Sequence, residues 1–127
     1  MEACFKEKIS DDETLYRAVL ADRPDSYVGG KISPAVFIDP AGASFDRDGE
    51  RDEEKIYKTF QYRFRNKDLS CLVALTAKQC RDDGTYPVPK PTKNEYHAEV
   101  HDSEEVVEIS LMKAILLARD ARVVIYE

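Results

Sequence analysis

One short apolar run limits what this chain can fold into. Residues 69–76 read Leu-Ser-Cys-Leu-Val-Ala-Leu-Thr and are bounded on both sides by polar segments. The run is far too short to cross a membrane as a helix, and a short apolar run between polar segments is typical of a fully buried strand. It therefore predicts a central strand of a sheet.

Other segments also carry strand patterns. Residues 14–20 mix aromatic and β-branched residues, which favours a strand over the helix that is the alternative. Residues 32–38 are apolar but interrupted by Pro34, so they are expected to form an edge strand or one helical turn. The remaining predicted strands are residues 43–46, 95–102 and 122–126.

Residues 52–65 have the periodicity of a helix. Ile56, Phe60 and Phe64 recur every four positions and form one apolar stripe. Acidic residues precede this stripe, at the end of a helix where the dipole favours negative charge. The pattern predicts a helix that packs on the sheet through the stripe.

A second helix is predicted at residues 110–121. Ser110 is suited to the N-cap position, where a hydroxyl oxygen accepts a backbone hydrogen bond. Leu111, Ile115 and Ala118 share one face at helical spacing, and further apolar residues widen that face. We expect this face to be the apolar side of the helix.

The order of these segments predicts the fold class. Strands and helices intersperse without a regular β-α-β rhythm, which favours an α+β fold. The chain has 127 residues, of which 43% are hydrophobic, and this fits a single domain over residues 1–127 with its own core. We predict a mixed or antiparallel sheet of about five strands, packed by two main helices at 52–65 and 110–121.

Two segments are predicted to lie outside these elements. Residues 1–12 are charged and weakly patterned, which predicts a flexible segment. Residues 82–94 carry prolines at alternate positions and are predicted to form an extended loop. A loop of this length often carries function, and this one would act as a lid over a ligand.

The charge balance restricts the class of partner. The formal net charge is −6 at pH 7, so neither an extended DNA surface nor a membrane partner is expected. Cys4, Cys71 and Cys80 form no CxxC pair, which argues against a disulfide scaffold. The charged first residues do not resemble a signal peptide, so we predict a cytoplasmic location.

The strongest candidate site lies in the strictly alternating segment 95–102. His97, Glu99 and His101 share one face of this strand and include both histidines of the chain. Histidine moves protons near neutral pH, and a carboxylate between two imidazoles orients one of them or holds it charged. These three residues are therefore the candidate catalytic group. The alternative is an ordinary solvated face of a half-buried strand.

Coordination of one metal by both histidines is not expected. On a strand that rises ~3.3 Å per residue, their Cα atoms lie about 13 Å apart, which is too far for one zinc ion. Glu99 and one histidine would need a further ligand from elsewhere. A calcium loop that begins at Ser44 is not expected either, because Lys55 stands where a glutamate is needed. We predict neither a metal nor a cofactor.

Further residues are candidates for contacts with a ligand. Arg17 interrupts an apolar segment, and its fork of donors suits a phosphate or a carboxylate. The alternative is an edge arginine whose stem packs on the core while its head reaches water. Serines, turn residues and one lysine of the Pro-rich segment complete the predicted set. The set is Arg17, Ser33, Ser44, Asp46, Arg47 and Lys93.

Two classes of function fit these residues. The first is binding of a phosphate-bearing ligand, such as a nucleotide, an RNA end or an ADP-ribose compound, with acid–base phosphoesterase or transferase chemistry by His97, Glu99 and His101. An ADP-ribose variant would place Arg17 on the ligand and use Glu99 as the key carboxylate. The alternative is an acidic module that neutralises a basic partner without catalysis. A ligand sensor would keep the pocket but lack a geometry for proton transfer.

Overall fold

The computed structural model describes residues 8–126, and within them the chain is built around one antiparallel sheet of six strands. A separate hairpin is formed by the second and third strands of the chain. The strands are β1 (Thr14–Leu20), β2 (Tyr27–Val28), β3 (Lys31–Ile32), β4 (Ala43–Arg47), β5 (Leu69–Thr76), β6 (Tyr86–Pro89), β7 (His97–His101) and β8 (Arg122–Val124). In space the main sheet runs β6-β7-β4-β1-β5-β8.

Helices connect these strands. Asp52 caps the first helix by accepting a hydrogen bond from the backbone N–H of Lys55, and Thr76 and Gln79 cap the second helix reciprocally. No helix within residues 8–126 is long and apolar enough to cross a membrane. The helices are α1 (Glu53–Arg63), α2 (Ala77–Asp82) and α3 (Leu111–Asp120), and two 3-10 turns span Pro24–Ser26 and Pro34–Phe37.

Strand β5 is buried on both faces, as its apolar sequence predicts. On one face, Leu72 packs in a cluster with Ile56 and Phe60 of α1. On the other face, Val73 belongs to a larger cluster that includes Leu117 of α3. The predicted α+β fold with two main helices is confirmed, and each helix covers one side of the sheet.

Strands β1 and β4 separate from each other along the sheet. Strand β1 pairs with β5 over its whole length, but its register with β4 covers only Leu15 opposite Arg47 and Tyr16 opposite Asp46. Beyond Tyr16 the two strands diverge. The divergence opens the sheet at one end, and the opening is part of the candidate site described below.

The predicted Pro-rich loop at 82–94 contains strand β6, so the expectation of a continuous loop is wrong. Pro87 lies opposite Val100, and Pro89 lies opposite Ala98. Lys90 next to them donates its backbone N–H to the carbonyl of His97 at 2.9 Å. The proline nitrogens therefore point away from β7, where the ladder needs no donor.

Other predicted elements differ in detail. The segment 32–38 forms the 3-10 turn Pro34–Phe37, which is the helical alternative. Most of the predicted flexible segment 1–12 lies outside the described residues, since residues 1–7 are not described. Ile9 is fully buried in the core, so the described part of that segment is packed.

Of the three residues predicted to form the apolar side of α3, Leu111 and Ile115 face solvent, whereas Ala118 packs against the core. Leu111 is 61% exposed and Ile115 is 49% exposed, whereas Ala114 and Leu117 are fully buried. The helix is apolar on both sides, so helical periodicity does not show which side packs on the sheet. An isolated domain has no need to expose these apolar side chains.

The ends of α2 and α3 bring two carboxyl groups together. Asp83 directly follows α2 and is 7% exposed, and Asp120 is the last residue of α3. Burial and, after it, the neighbouring Asp120 carboxylate together raise the pKa of Asp83 to about 6 against the opposing Arg119. A carboxyl group with a raised pKa contributes stability in its protonated form, and that contribution is lost as pH rises through the folded pKa.

We expect Asp83→Asn to stabilise the protein above pH 6 by about 1 kcal/mol, because the amide carries no charge to be buried beside Asp120. The difference in unfolding free energy between variant and parent should be small near pH 3.8 and grow towards pH 6. Urea unfolding across this pH range measures it. Asp22→Asn is the matched control, because Asp22 is exposed and is not among the groups that shift the pKa of Asp83. A pH-independent difference would contradict the prediction.

Candidate functional site

A cleft of about 710 Å³ lies where β1 and β4 separate. Its walls come from the second half of β1, from β4, from the C-terminal end of α1, from the two 3-10 turns and from the segment that precedes β7. The polar residues of its lining are Arg17, Arg23, Ser26, Asp39, Ser44, Asp46, Arg63, Lys93, Asn94 and His97.

Arg17 spans the opening between the two strands. Its Nε donates to the carbonyl oxygen of Val36 at 2.8 Å, and its Nη1 donates to the carbonyl oxygen of Ser44 at 3.0 Å. These two bonds fix the plane of the guanidinium and satisfy one carbonyl of β4 and one carbonyl of the 3-10 turn Pro34–Phe37. The remaining guanidinium donors are available to a ligand.

Arg17 is a largely buried cation that forms no ion pair within the described residues. Burial lowers its pKa, and the Asp39 carboxylate opposes this effect. None of the carboxylates in residues 8–126 forms an ion pair with Arg17, whose hydrogen-bond partners in this range are two neutral carbonyls. Buried charges in proteins are normally paired, so the position calls for an anion.

Asp46 and Arg63 form one end of the cleft. Asp46 is 2% exposed, and its two carboxylate oxygens accept hydrogen bonds from Arg63 at 3.2 and 2.8 Å. The Arg63 guanidinium also lies over the ring of Phe60, 4.7 Å from its centroid. Because Arg63 already has a carboxylate partner, it supplies less uncompensated charge than Arg17.

His97 lies beside this ion pair. It is opposite Asp46 in the register of β4 and β7, and it is 6% exposed. Burial lowers the pKa of His97, and the Asp46 carboxylate opposes this shift. The imidazole is therefore neutral at pH 7, and its buried Nε2 has no hydrogen-bond partner in the described part of the chain. An unpaired buried nitrogen on the cleft wall is suited to a ligand or a proton.

Glu99 and His101 form a separate pair. Their side chains share a face with His97, as the alternation predicts, but neither lines the cleft. Glu99 Oε1 and His101 Nε2 lie 2.7 Å apart, and both side chains are largely buried. The three residues are not an ordinary solvated face, and only His97 of the predicted catalytic group is in a position to contact a ligand in the cleft.

Of the residues predicted to contact a ligand, some line the cleft and others do not. Ser44 and Lys93 line the cleft, although the bond from Ser44 to Arg17 uses the backbone carbonyl and not the hydroxyl. Ser33 does not line it and caps the following 3-10 turn. Arg47 is 3% exposed and forms a bidentate pair with Glu13 at 2.8 and 2.9 Å, so it serves the fold.

Several residues of the cleft were not predicted from the sequence. Arg23 and Asp39 lie in loops, and their approach to Arg17 depends on how those loops pack. Phe64 belongs to the predicted apolar stripe of α1 and Arg63 lies next to it, so the helical spacing from Phe60 was a signal for the position of both. Residues in loops have no such regular spacing, so the sequence does not predict their position in the cleft.

The cleft is positively charged within an acidic protein. Its lining has the cations Arg17, Arg23, Arg63 and Lys93 against the acids Asp39 and Asp46. Two more cations than carboxylates make a local potential opposite to the net charge of −6. Among residues 8–126, no group of three or more His, Cys, Asp or Glu side chains is placed to hold a metal ion.

Comparison of the chain with protein-family models, with curated proteins and with solved structures finds no match. The observations that bear on function are therefore the cleft itself, its charge, the Arg17 guanidinium without an ion pair in residues 8–126 and the unpaired Nε2 of His97 in the same range.

The turn that precedes β4 gives a test of how tightly Glu99 and His101 are held. Gly42 has a φ of +101°, and a Cβ atom there would lie 2.7 Å from Glu99 Oε1. We expect Gly42→Ala to reduce the unfolding free energy by about 2–3 kcal/mol, because backbone strain adds to the clash.

Gly29→Ala is the matched control for this variant. Gly29 has a φ of +60°, and a Cβ atom there would have nothing within 4 Å. Only the backbone strain remains, so the loss should be about 1 kcal/mol. Chemical denaturation of both variants measures the difference, and equal losses would show that the Glu99–His101 pair does not pack against the turn.

Proposed function

We propose that the cleft binds a phosphate-bearing ligand of the nucleotide class, with Arg17 as the anchor for its phosphate. The observation that carries this proposal is the largely buried Arg17 guanidinium, which is held by two neutral carbonyls and has no ion pair among residues 8–126. A phosphate would supply the missing negative charge and accept the remaining donors.

The rest of the cleft favours an anion larger than a simple carboxylate. Arg23 and Lys93 are exposed residues of the lining that form no ion pair in the described chain. A ligand with more than one phosphate oxygen would contact Arg17 in the interior and one of these cations at the rim. The net acidity of the protein would keep such a ligand away from the remaining surface.

A planar base is the second part of the proposed ligand. Phe60 and Phe64 stack with ring centroids 6.3 Å apart, and Phe64 is half-buried at the cleft. An aromatic ring face of this kind stacks with a nucleobase, and such stacking tolerates any base. Asp39 and Asn94 add polar groups for ribose hydroxyls or base edges. A sugar phosphate or inorganic phosphate would leave the aromatic wall unused.

Proton transfer is assigned to His97 in the catalytic extension of this proposal. A neutral buried imidazole on the cleft wall accepts a proton from an attacking hydroxyl group or water at a phosphate ester. Glu99 and His101 are paired outside the lining, so the two-histidine mechanism and the ADP-ribose transfer by Glu99 have less geometric support than binding. A cytoplasmic location remains part of the proposal, and the buried free thiols of Cys71 and Cys80 suit it.

The first experiment measures ligand binding directly. Isothermal titration with AMP, ADP-ribose, pyrophosphate and ribose 5-phosphate should give the tightest binding for the two nucleotides. Near 100 times its dissociation constant, a bound ligand should raise the unfolding free energy by about 2.7 kcal/mol.

Arg17→Lys keeps the positive charge but loses the forked set of guanidinium donors. We expect it to weaken nucleotide binding about tenfold or more. Arg119→Lys is the matched control, because Arg119 is exposed on α3 and away from the cleft. Circular dichroism shows whether both variants fold. Unchanged nucleotide affinity in a folded Arg17→Lys variant would contradict the proposal, as would indifference of the parent protein to every ligand tested.

The pH dependence of binding tests the role of His97. An anion beside Nε2 favours the imidazolium form, so binding should take up a proton and strengthen as pH falls from 7.5 through the lowered pKa of His97. ADP-ribose is the suitable probe, because the charge of its diphosphate stays constant over this range. Its affinity in His97→Gln should lose this dependence, and an unchanged pH profile in that variant would remove His97 from the site.

A further inference from the structure

The outward side of α3 carries an unusual concentration of exposed apolar side chains. Leu111 is 61% exposed, Met112 is 76% exposed and Ile115 is 49% exposed. The same short helix buries Ala114 and Leu117 in the core on its other side. Large exposed apolar side chains grouped on one side of a helix are typical of an interaction site, and this side has no partner within residues 8–126.

The segment before α3 extends this apolar surface. Val106 is 51% exposed and Val107 is 39% exposed. The backbone N–H of Asp102 donates to the carbonyl of Val107, and that of Ser103 donates to the carbonyl of Val106, so the segment folds back on itself. We call Val106, Val107, Leu111, Met112 and Ile115 the α3 patch.

Asp102 holds this segment against the start of α3. Its carboxylate accepts hydrogen bonds from the backbone N–H of Ser110 at 2.9 Å and from the ammonium of Lys113 at 3.2 Å. Lys113 also donates to the carbonyl of Asp102 at 2.8 Å. These bonds tie the segment that carries the two valines to the first turn of the helix.

Three exposed carboxylates border the α3 patch. Glu104 and Glu105 directly precede Val106, and Glu108 directly follows Val107. None of the three forms an ion pair in the described part of the chain. An apolar surface with unpaired acids at its edge is complementary to apolar side chains that are surrounded by lysine or arginine.

We infer that the α3 patch docks a basic amphipathic helix of a partner protein. The apolar face of that helix would cover Leu111, Met112 and Ile115, and its cations would lie against the three glutamates. A second copy of this chain fits less well, because a symmetric contact would bring the same acids together. An anionic membrane would be repelled for the same reason. The inference does not depend on a ligand in the cleft.

The test uses a labelled helical peptide of leucine and lysine with an apolar face, and a matched peptide in which glutamate replaces lysine. Fluorescence anisotropy with the full chain should show binding of the lysine peptide, weakened by salt, and none of the glutamate peptide. The double variant Met112→Ser/Ile115→Ser should weaken this binding about tenfold or more. The triple variant Glu104→Gln/Glu105→Gln/Glu108→Gln should weaken it and reduce its salt dependence.

Val28→Ser is the matched control, because Val28 is a 62% exposed apolar residue of the separate β2–β3 hairpin. It should bind the lysine peptide like the parent. Failure of the lysine peptide to bind would overturn the inference, as would equal binding of the glutamate peptide. Light scattering is the second measurement: a concentration-dependent dimer that Met112→Ser disperses would assign the α3 patch to a second copy of the chain and overturn it as well.

Discussion

The fold of this protein depends on how it stabilises the gap between β1 and β4. Two strands that separate within a sheet leave backbone carbonyls without ladder partners, and leaving such groups unpaired in the interior is costly. Arg17 of β1 donates to the carbonyl of Ser44 in β4, and it also donates to the carbonyl of Val36 in the neighbouring 3-10 turn. The charged Arg17 side chain therefore stabilises an opening in the sheet that an apolar side chain would have filled. The same contacts create the cleft and give it its charge.

Two groups of charged residues of opposite sign lie on different surfaces of the protein. The cations of the cleft lie at the opening of the sheet, whereas the glutamates beside α3 lie on an exposed outer surface. A phosphate-bearing ligand and a basic peptide would be directed to different parts of the molecule by these local potentials. The net charge of −6 alone describes neither surface.

The sequence was most informative where burial is complete. Strands β1 and β5 have the predicted bounds because short apolar or β-branched runs have few alternatives in a sheet. The orientation of α3 was not predictable, because a helix that is apolar on both sides has no distinct periodic signal. Ala114 faces the core and Ile115 faces solvent because of tertiary packing, and the periodicity of apolar residues in the sequence does not determine this.

The candidate site was only partly predictable for a related reason. Alternation correctly placed His97, Glu99 and His101 on one face of β7, but it could not show that only His97 reaches the cleft. That division depends on where β1 and β4 separate, which is a property of long-range pairing. Arg23 and Asp39 reach the cleft from loops, where residue type carries no information about position.

The two prolines of β6 have a consequence for how molecules of this protein meet in solution. Strand β6 is at the edge of the sheet, and an ordinary edge strand offers outward N–H groups on which the strand of another molecule can form a ladder. Pro87 and Pro89 occupy the positions whose nitrogens point outward, so those donors do not exist. Stacking of successive molecules into a continuous intermolecular sheet is therefore disfavoured along this side, even at high protein concentration.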